Sequence, residues 1–368
     1  MTRLSTAVPR PVPLLEIDDL AVSFDVDEGD RVQAVDGLDL TIHPKQTLAL
    51  VGESGCGKSV TALSVLQLIP CPPGRHDRGA IRLDGKNLIG RSEAAMRKVR
   101  GSEIAMIFQE PLTSLNPVYT VGDQIVEAIL VHQALTRKEA AEVAVQAMHD
   151  VGIARPVQSL RSYPHEFSGG MCQRAMTAMA LACQPKLLLA DEPTTALDVT
   201  IQAQILDLLG DLQRSRGMSI MLITHDLGVV AQVADVVCVM YGGRVVEYAT
   251  VFDLFSKPHH PYTRGLFNSI PRIERREHRL HTVSEIVSNP DEFKTLPGYR
   301  YGIVPWWPAM TPPPDVSPGP GAGSSADALF EIDAGHWVAC WRTEYIADHP
   351  VMHPDLEFRR GDRELSPS

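Results

Sequence analysis

The sequence has no excess of positive charge. In its 368 residues, 34 lysines and arginines stand against 45 aspartates and glutamates, which gives a net charge of −11. Proteins that bind nucleic acid broadly neutralise its phosphates with lysine and arginine. The charge balance therefore argues against broad nucleic-acid binding, although it leaves room for a local basic patch.

The sequence also has no long apolar run. A membrane-spanning helix requires about 20 consecutive, mostly apolar residues, and no segment reaches that length. Residues 1–13 contain two arginines but no apolar core, so we expect no secretory signal there. If the protein works at a membrane, we expect it to do so by docking onto other chains.

Cysteine is scarce and scattered. The six cysteines include no C-x-x-C pair, and disulfide frameworks are typical of small secreted domains rather than of a chain this long. We therefore expect reduced thiols. Apolar residues make up 44% of the sequence, which allows a sizeable core and, at this length, two domains.

The most informative segment that is present fits the phosphate-loop pattern G-x-x-x-x-G-K-[ST]. An apolar run over 47–51 predicts a buried strand before it, and apolar residues at helical spacing follow it. Backbone N–H groups of such a loop surround nucleotide phosphates, Lys58 would reach the β- and γ-phosphates, and Ser59 would bind Mg²⁺. A chance match to a glycine-rich turn does not account for the flanking strand and helix. The predicted ATP-binding residues here are Gly52, Glu53, Ser54, Gly55, Cys56, Gly57, Lys58, Ser59 and Val60.

A second apolar strand, predicted over 187–190, ends in two adjacent acids, Asp191 and Glu192. A carboxylate at the end of a strand beside a phosphate loop can hold Mg²⁺, which suits Asp191. Glu192 could act as a general base on the attacking water. Two acids that merely cap a strand are the alternative, and the upstream phosphate loop makes it the weaker interpretation.

The pattern along the chain predicts an α/β fold. Residues 14–45 predict antiparallel strands with a tight turn at Asp36-Gly37, and a hairpin at Asp84-Gly85 is predicted after a loop over 70–79. Helical spacing predicts a helical subdomain within about 110–182. From residue 187 onwards, buried strands alternate with helices, which predicts a parallel sheet covered on both faces.

These patterns divide the chain into three predicted segments. Residues 1–13 form an N-terminal tail, 14–255 a nucleotide-binding domain, and 256–368 a C-terminal extension. Within the extension, a Pro/Gly-rich linker is predicted over about 305–323, and we expect its part over 311–323 to be poorly ordered.

The segment Phe167-Ser168-Gly169-Gly170-Met171 resembles the signature motif of ATP-binding-cassette (ABC) ATPases. Other motifs of that family occur in the family's order: Gln109 resembles the Q-loop glutamine, Ala196-Leu197-Asp198 the D-loop and His225 the switch histidine. A lone histidine at a strand end is more often structural, but His225 directly follows a predicted buried strand. The resemblance implies a P-loop ABC-type nucleotide-binding domain, with a parallel core sheet, an antiparallel β subdomain and an inserted helical subdomain.

The family resemblance also implies a mechanism in which two such domains clamp two ATP molecules. Glu192, His225 and Gln109 would be catalytic, and Ser59, Gln109 and Asp191 would hold Mg²⁺. The signature residues Ser168, Gly169, Gly170 and Met171 would contact the nucleotide bound by the partner domain, and Asp198 would serve in the D-loop. Phe24 is the candidate for stacking on adenine, with a place in the core as the alternative.

Residues 108–117 and 191–200 resemble one branch of the family, the ATPase subunits of oligopeptide and dipeptide importers. That branch also serves nickel, opines and oligosaccharides. The resemblance implies an ATPase that powers peptide import at the cytoplasmic face of the inner membrane. Its partners would be a second ABC ATPase, two transmembrane permeases and an extracytoplasmic solute-binding protein. Met171, where Gln is usual, suggests that the second ATPase is a different chain, while Cys172 replaces the usual arginine.

His260-Pro261-Tyr262-Thr263-Arg264-Gly265-Leu266 resembles the start of that branch's C-terminal extension. The extension normally carries several cysteines, and in some members they hold an iron–sulfur cluster. In this sequence the extension over 256–368 contains Cys340 as its single cysteine, and such a cluster needs four ligands. We therefore expect ATP and Mg²⁺ as cofactors and no iron–sulfur cluster.

Two other functions compete with transport. A soluble ABC ATPase of translation or DNA repair usually has two cassettes or a long coiled coil, and this sequence has one cassette and no sustained heptads. A cassette that binds ATP without hydrolysing it would be expected to lack some of the residues Lys58, Asp191, Glu192 and His225, which are all present.

Overall fold

The structure is a computed structural model that describes residues 12–26, 29–109, 114–194, 198–269, 282–313, 316, 327–343 and 354–359. Its strands are β1 (Leu15–Asp25), β2 (Arg31–Ile42), β3 (Thr47–Val51), β4 (Gly74–Leu83), β5 (Lys86–Asn87), β6 (Ile104–Ile107), β7 (Leu187–Asp191), β8 (Ser219–Thr224), β9 (Val236–Tyr241), β10 (Arg244–Thr250), β11 (Asp327–Asp333) and β12 (His336–Trp341). Its α-helices are α1 (Lys58–Val65), α2 (Glu93–Met96), α3 (Val121–His132), α4 (Arg137–Asp150), α5 (Pro156–Ser159), α6 (Gly169–Leu181), α7 (Val199–Arg216), α8 (Leu227–Val233), α9 (Val251–Ser256), α10 (Pro261–Asn268), α11 (Val283–Val287) and α12 (Pro290–Phe293).

The larger sheet has eight strands in the order β11-β12-β10-β9-β3-β8-β7-β6. From β9 to β6 the pairings are parallel, as the alternation of buried strands and helices predicts. Every residue of β3, β7 and β8 is buried, because helices cover the central strands of a parallel sheet on both faces. The register pairs Val51 with Thr224 and Asp191 with Ile223, so the carboxyl ends of three neighbouring strands lie at one edge.

The smaller sheet is antiparallel, in the order β2-β1-β4-β5. The turn predicted at Asp36-Gly37 is wrong, since β2 runs through it without interruption. Gly37 has a φ of 73°, and the register of β1 with β2 shifts on both sides of Leu20, so the Asp-Gly pair marks a β-bulge instead. Beside the ends of β1 and β2, Val26 N–H donates to Asp30 O at 2.9 Å.

The loop predicted over 70–79 is also shorter than expected, because β4 begins at Gly74. Residues 74–83 pair with β1 over its whole length, from Phe24 opposite Gly74 to Leu15 opposite Leu83. Pairing with a distant strand therefore overrides a local composition rich in charge and glycine. The hairpin predicted at Asp84-Gly85 is confirmed, as it joins β4 to β5.

Helices occupy most of the segment between β6 and β7. Thr120 caps α3, Thr136 forms a capping box with Glu139 at the start of α4, and Ser168 caps α6. The three helices bury a shared apolar core that includes Ile125, Ile129, Ala140, Ala144 and Met176. Residues 110–113, where the predicted helical subdomain would begin, lie outside the described residues, and its boundaries remain a prediction.

The described part of the extension over 256–368, called the C-terminal segment below, packs on the edge of the larger sheet. Strand β12 pairs with β10 through Glu247–Val338 and Tyr248–Trp337, and β11 pairs with β12. The linker predicted over about 305–323 begins later than expected, because Trp306 and Trp307 are buried and Trp306 N–H donates to Ala339 O at 2.8 Å. Residues 314–315 and 317–323 of that linker lie outside the described residues.

Within the described ranges, no helix is long and apolar enough to cross a lipid bilayer.

Candidate functional site

The phosphate loop joins β3 to α1 at the carboxyl edge of the parallel sheet. Gly52 and Gly57 have φ values of 154° and 102°, in the region that favours glycine. A Cβ atom on Gly52 would lie 2.2 Å from the Met240 carbonyl oxygen, and one on Gly57 would lie 2.4 Å from that of Ala34. The neighbouring strands approach so closely that these two positions require glycine.

Lys58 begins α1, and its side chain lies over the loop. Its residue is only 6% exposed, and Nζ donates to the carbonyl oxygens of Gly52 at 2.8 Å and Glu53 at 2.7 Å. Cys56 Sγ is 3.6 Å from the same nitrogen. Burial raises the pKa of the Cys56 thiol, which the Lys58 charge only partly opposes. The loop therefore carries a fixed ammonium group beside a neutral thiol.

The residues at the end of β7 fit a magnesium ion. Asp191 Oδ1 is buried and has no hydrogen-bond partner among the described residues, while the Ser59 side chain donates to the Asp191 carboxylate. Burial raises the pKa of Asp191, an effect that the Ser59 hydrogen bond and the Lys58 charge oppose. A buried carboxylate oxygen without a partner and a nearby hydroxyl are the ligand types that Mg²⁺ prefers.

Glu192 connects two further predicted residues. Its carboxylate accepts a hydrogen bond from Gln109 Nε2 at 3.0 Å and another from His225 Nδ1 at 2.9 Å. The Glu192 side chain is 17% exposed, whereas that of His225 is 65% exposed. The side chains of Gln109 and His225, far apart in sequence, therefore both contact the Glu192 carboxylate. This carboxylate lies on the sheet edge that holds the phosphate loop.

The backbone of Glu192 is held in an unusual conformation. Its φ is 45°, in the left-handed region that a residue with a Cβ atom rarely adopts. The Glu192 N–H donates to Ile223 O at 2.9 Å, which ties this residue to β8. Such conformations cost about 1–3 kcal/mol and persist at functional sites when the surroundings fix them.

The signature segment lies apart from this group. Ser168 and Gly169 are exposed, and the Ser168 hydroxyl accepts from Met171 N–H at 3.3 Å as the N-cap of α6. No hydrogen bond of the phosphate loop in the described residues reaches 168–171. The N–H groups of Gly169 and Gly170 in the first turn of α6 have no hydrogen bond among the described residues.

Three other predicted or noted positions have structural partners. Asp198 is the N-cap of α7, and its carboxylate accepts from Ile201 N–H at 2.9 Å; Ala196 and Leu197 lie outside the described residues. Cys172 is buried and donates to Pro164 O at 3.5 Å. Phe24 packs on the core, since a Cβ atom on Gly74 would lie 3.2 Å from its ring, and its contact with adenine remains a prediction.

Tyr262 has no site role in the sequence-based predictions, yet it contacts the phosphate loop. Its hydroxyl accepts from the N–H of Glu53 at 3.1 Å. A cavity of about 460 Å³ lies beside this contact, lined by the loop, by residues 225–228 and by Leu266 and Ser269. The only signal in the sequence is the motif over 260–266, which resembles the start of a C-terminal extension.

Two family models match the sequence. One, described as ABC transporter, covers residues 35–195, and the other, described as oligopeptide/dipeptide transporter, C-terminal region, covers residues 246–302. The oligopeptide transport ATP-binding protein OppD of Bacillus subtilis is 45% identical over 94% of this chain and 91% of its own length. The dipeptide transport ATP-binding protein DppD of the same species is 45% identical over 94% of this chain and 99% of its own length.

Solved structures agree on the fold. The bacterial ABC transporter cassette MJ0796, solved as a dimer, matches with a TM-score of 0.58 and 23% identity over 64% of this chain and 98% of its own. The protein cbiO1 from Clostridium perfringens, part of the ABC transporter complex cbiONQ, matches with a TM-score of 0.57 and 27% identity over 67% of this chain and 91% of its own. The P-loop α/β fold predicted from the sequence is confirmed.

Proposed function

This chain belongs to the ATP-binding subunits of oligopeptide and dipeptide ABC transporters, and we propose that it hydrolyses ATP to power the import of small peptides. The observation that carries the proposal is similarity to peptide transport ATP-binding proteins over nearly the whole chain. The clustering of Gln109, Glu192 and His225 beside the phosphate loop supports hydrolysis. Nickel, opines and oligosaccharides are the substrate alternatives within the branch, and the relatives named above do not support the soluble ATPase of translation or DNA repair.

In the proposed reaction, the Glu192 carboxylate accepts a proton from water as the water oxygen attacks the γ-phosphorus. The bond from the γ-phosphorus to the β–γ bridging oxygen breaks, which leaves ADP and phosphate. Gln109 and His225 orient the Glu192 carboxylate through their hydrogen bonds to it. Lys58 holds the β- and γ-phosphates, and Ser59, Asp191 and Gln109 would hold Mg²⁺, which neutralises phosphate charge when bound.

We infer that a second ATPase chain completes the site. Ser168 and Gly169 are exposed at the open N-terminus of α6, which is suited to bind an anion. Since the phosphate loop of the same chain lies elsewhere, the anion would be the γ-phosphate of a nucleotide bound by a partner cassette. Met171 at the position where Gln is usual favours a partner of different sequence.

The proposed contact with the permeases is an apolar groove of about 390 Å³ between the helices and β6. Its lining includes Leu68, Phe108, Met176 and Met179, and Leu68 and Phe108 are 38% and 42% exposed. Phe108 directly precedes Gln109, whose side chain donates a hydrogen bond to Glu192. A permease helix in this groove would therefore contact the residue next to Gln109. The location we propose is the cytoplasmic face of the inner membrane, with two permeases and an extracytoplasmic binding protein as partners.

The test is affinity purification of the tagged full chain from detergent-solubilised membranes, followed by mass spectrometry of the proteins that co-purify. Two permeases, a second ATPase and an extracytoplasmic binding protein are expected, and peptide binding by that last protein would identify the substrate class. An untagged strain is the control for background. Recovery with ribosomal or DNA-associated proteins, and absence from membranes, would contradict the proposal and support the soluble alternative.

A further inference from the structure

The peptide group between Gly52 and Glu53 is held at both of its polar ends. Its carbonyl oxygen accepts from Lys58 Nζ at 2.8 Å, and its N–H donates to the Tyr262 hydroxyl at 3.1 Å. In a trans peptide, the C=O and N–H groups point in opposite directions. Lys58 and Tyr262 are therefore hydrogen-bonded to opposite edges of one peptide plane. Rotation of that plane would break both hydrogen bonds.

Tyr262 is a rigid support for this contact. Its residue is fully buried, and its ring lies 4.7 Å from that of Tyr241 and 5.9 Å from that of Trp307. Tyr241 and Trp307 stack on each other at 4.3 Å. Burial raises the pKa of Tyr262, so its hydroxyl stays neutral at physiological pH. A neutral hydroxyl on a packed ring has little freedom to leave the loop.

The start of α10 fixes where Tyr262 lies. Glu247 of β10 is fully buried, and its carboxylate accepts from the N–H groups of His259 at 2.6 Å and His260 at 3.0 Å. The His260 ring accepts from Tyr262 N–H at 3.2 Å through Nδ1 and donates to Trp306 O at 2.9 Å through Nε2. The position of Tyr262 is thus determined by β10 and by the C-terminal segment.

We propose that Tyr262 is a positioning residue for the phosphate loop. Its hydroxyl holds the Gly52–Glu53 peptide in the orientation that keeps the Gly52 carbonyl on Lys58, and so it sets the place of the ammonium group that meets the nucleotide phosphates. The C-terminal segment thereby contributes to ATP affinity without touching ATP. This inference rests on the proposed ATP binding at the phosphate loop.

The test compares Tyr262→Phe with Tyr248→Phe in the full chain. Both tyrosines are fully buried, and the Tyr248 hydroxyl donates to Thr41 O at 3.0 Å, away from the loop. Each variant keeps its ring and loses one hydroxyl, so the two control for lost stability. Two quantities are measured: the Kd for ATP by equilibrium titration, and hydrogen exchange of the loop amides by mass spectrometry.

We expect Tyr262→Phe to raise the Kd for ATP about 3- to 10-fold, as for the loss of one net hydrogen bond, and to speed exchange in the loop. Tyr248→Phe should change neither quantity. An unchanged Kd and unchanged loop exchange in Tyr262→Phe would overturn the inference, as would equal changes in both variants. Failure of the unsubstituted chain to bind ATP would contradict the proposed function itself. The exchange measurement would still test whether the Tyr262 hydroxyl holds the Glu53 N–H.

Discussion

The phosphate loop lies between two unlike groups of residues. The polar group consists of Gln109, Asp191, Glu192 and His225, and the aromatic group consists of Tyr241, His260, Tyr262 and Trp307. Three side chains of the polar group reach solvent, with His225 at 65% exposure, whereas Asp191 is buried. Tyr262 and His260 of the aromatic group are fully buried. The polar group can therefore contact water and nucleotide phosphate, whereas the aromatic group cannot.

The difference shows how the two tasks of the site are divided. Residues that exchange protons with water must be reachable from solvent, and here they are held by a few hydrogen bonds at strand ends. Residues that hold the loop act through close packing, which resists displacement. Changes in the polar group should therefore alter turnover, and changes in the aromatic group should alter stability and ATP affinity.

The largest expected effect lies in the polar group. Glu192→Gln should lower ATP turnover about 10²- to 10⁴-fold, the usual contribution of a general base, because the amide cannot accept the proton of water. ATP binding should persist. Steady-state phosphate release and ATP titration measure the two quantities. Glu127→Gln, at an exposed position of α3, is the matched control. Hydrolysis at the parent rate would show that Glu192 is not the base.

The next effect tests the aromatic group. Trp307→Ala should destabilise the protein by about 3–5 kcal/mol, because it removes a large buried ring and leaves a cavity. Trp307 is 5% exposed and stacks on Tyr241. Denaturant unfolding followed by fluorescence gives the change, and Trp307→Phe should cost less. A midpoint equal to that of the parent would show that the Trp307 ring does not stabilise the fold.

His260 predicts a pH dependence of stability. Burial lowers its pKa from 6.5 to about 4, so between these values the unfolded chain binds a proton that the folded chain does not. Stability contributed by neutral His260 is present above pH 6.5 and is lost as the pH falls towards 4, by about 3 kcal/mol at most. His260→Asn should flatten the dependence of unfolding free energy on pH, and the exposed His149→Asn should not. Identical pH profiles for parent and His260→Asn would contradict the assignment.

The smallest effect is expected at Tyr241, whose hydroxyl has no hydrogen bond among the described residues. Tyr241→Phe keeps the stacked ring and should change stability by less than about 0.5 kcal/mol, with no change in the Kd for ATP. Thermal unfolding and ATP titration provide the check. A several-fold loss of ATP affinity would show that Tyr241 takes part in the hydrogen bonding assigned to Tyr262.

Three members of the polar group stand in a local pattern of the sequence, whereas Gln109 is predicted only from the resemblance to ABC ATPases. Asp191 and Glu192 follow an apolar strand, and His225 follows another. Parallel strands bring their carboxyl ends to one edge, so these positions are expected to converge. The hydrogen bonds from Gln109 and His225 to the same carboxylate could not be predicted, since they depend on side-chain positions at the ends of separate strands.

Local signals failed where a distant partner decided the structure. Asp36-Gly37 has the composition of a hairpin turn, but pairing of β2 with β1 turned it into a bulge. Residues 305–323 are rich in Pro and Gly and are predicted as a linker, yet two tryptophans at their start are buried. In both places, burial of apolar area outweighs local preference.

Glycine conformation, charge and hydrophobic periodicity are local properties. For this reason the phosphate loop, the acids after β7 and the alternation that builds a parallel sheet can be recognised in the sequence alone. The contact of Tyr262 with the loop, by contrast, arises from tertiary packing of a separate segment. That contact joins residues 209 positions apart. It depends on the docking of α10 and of Trp307, and no local property of the sequence encodes such docking.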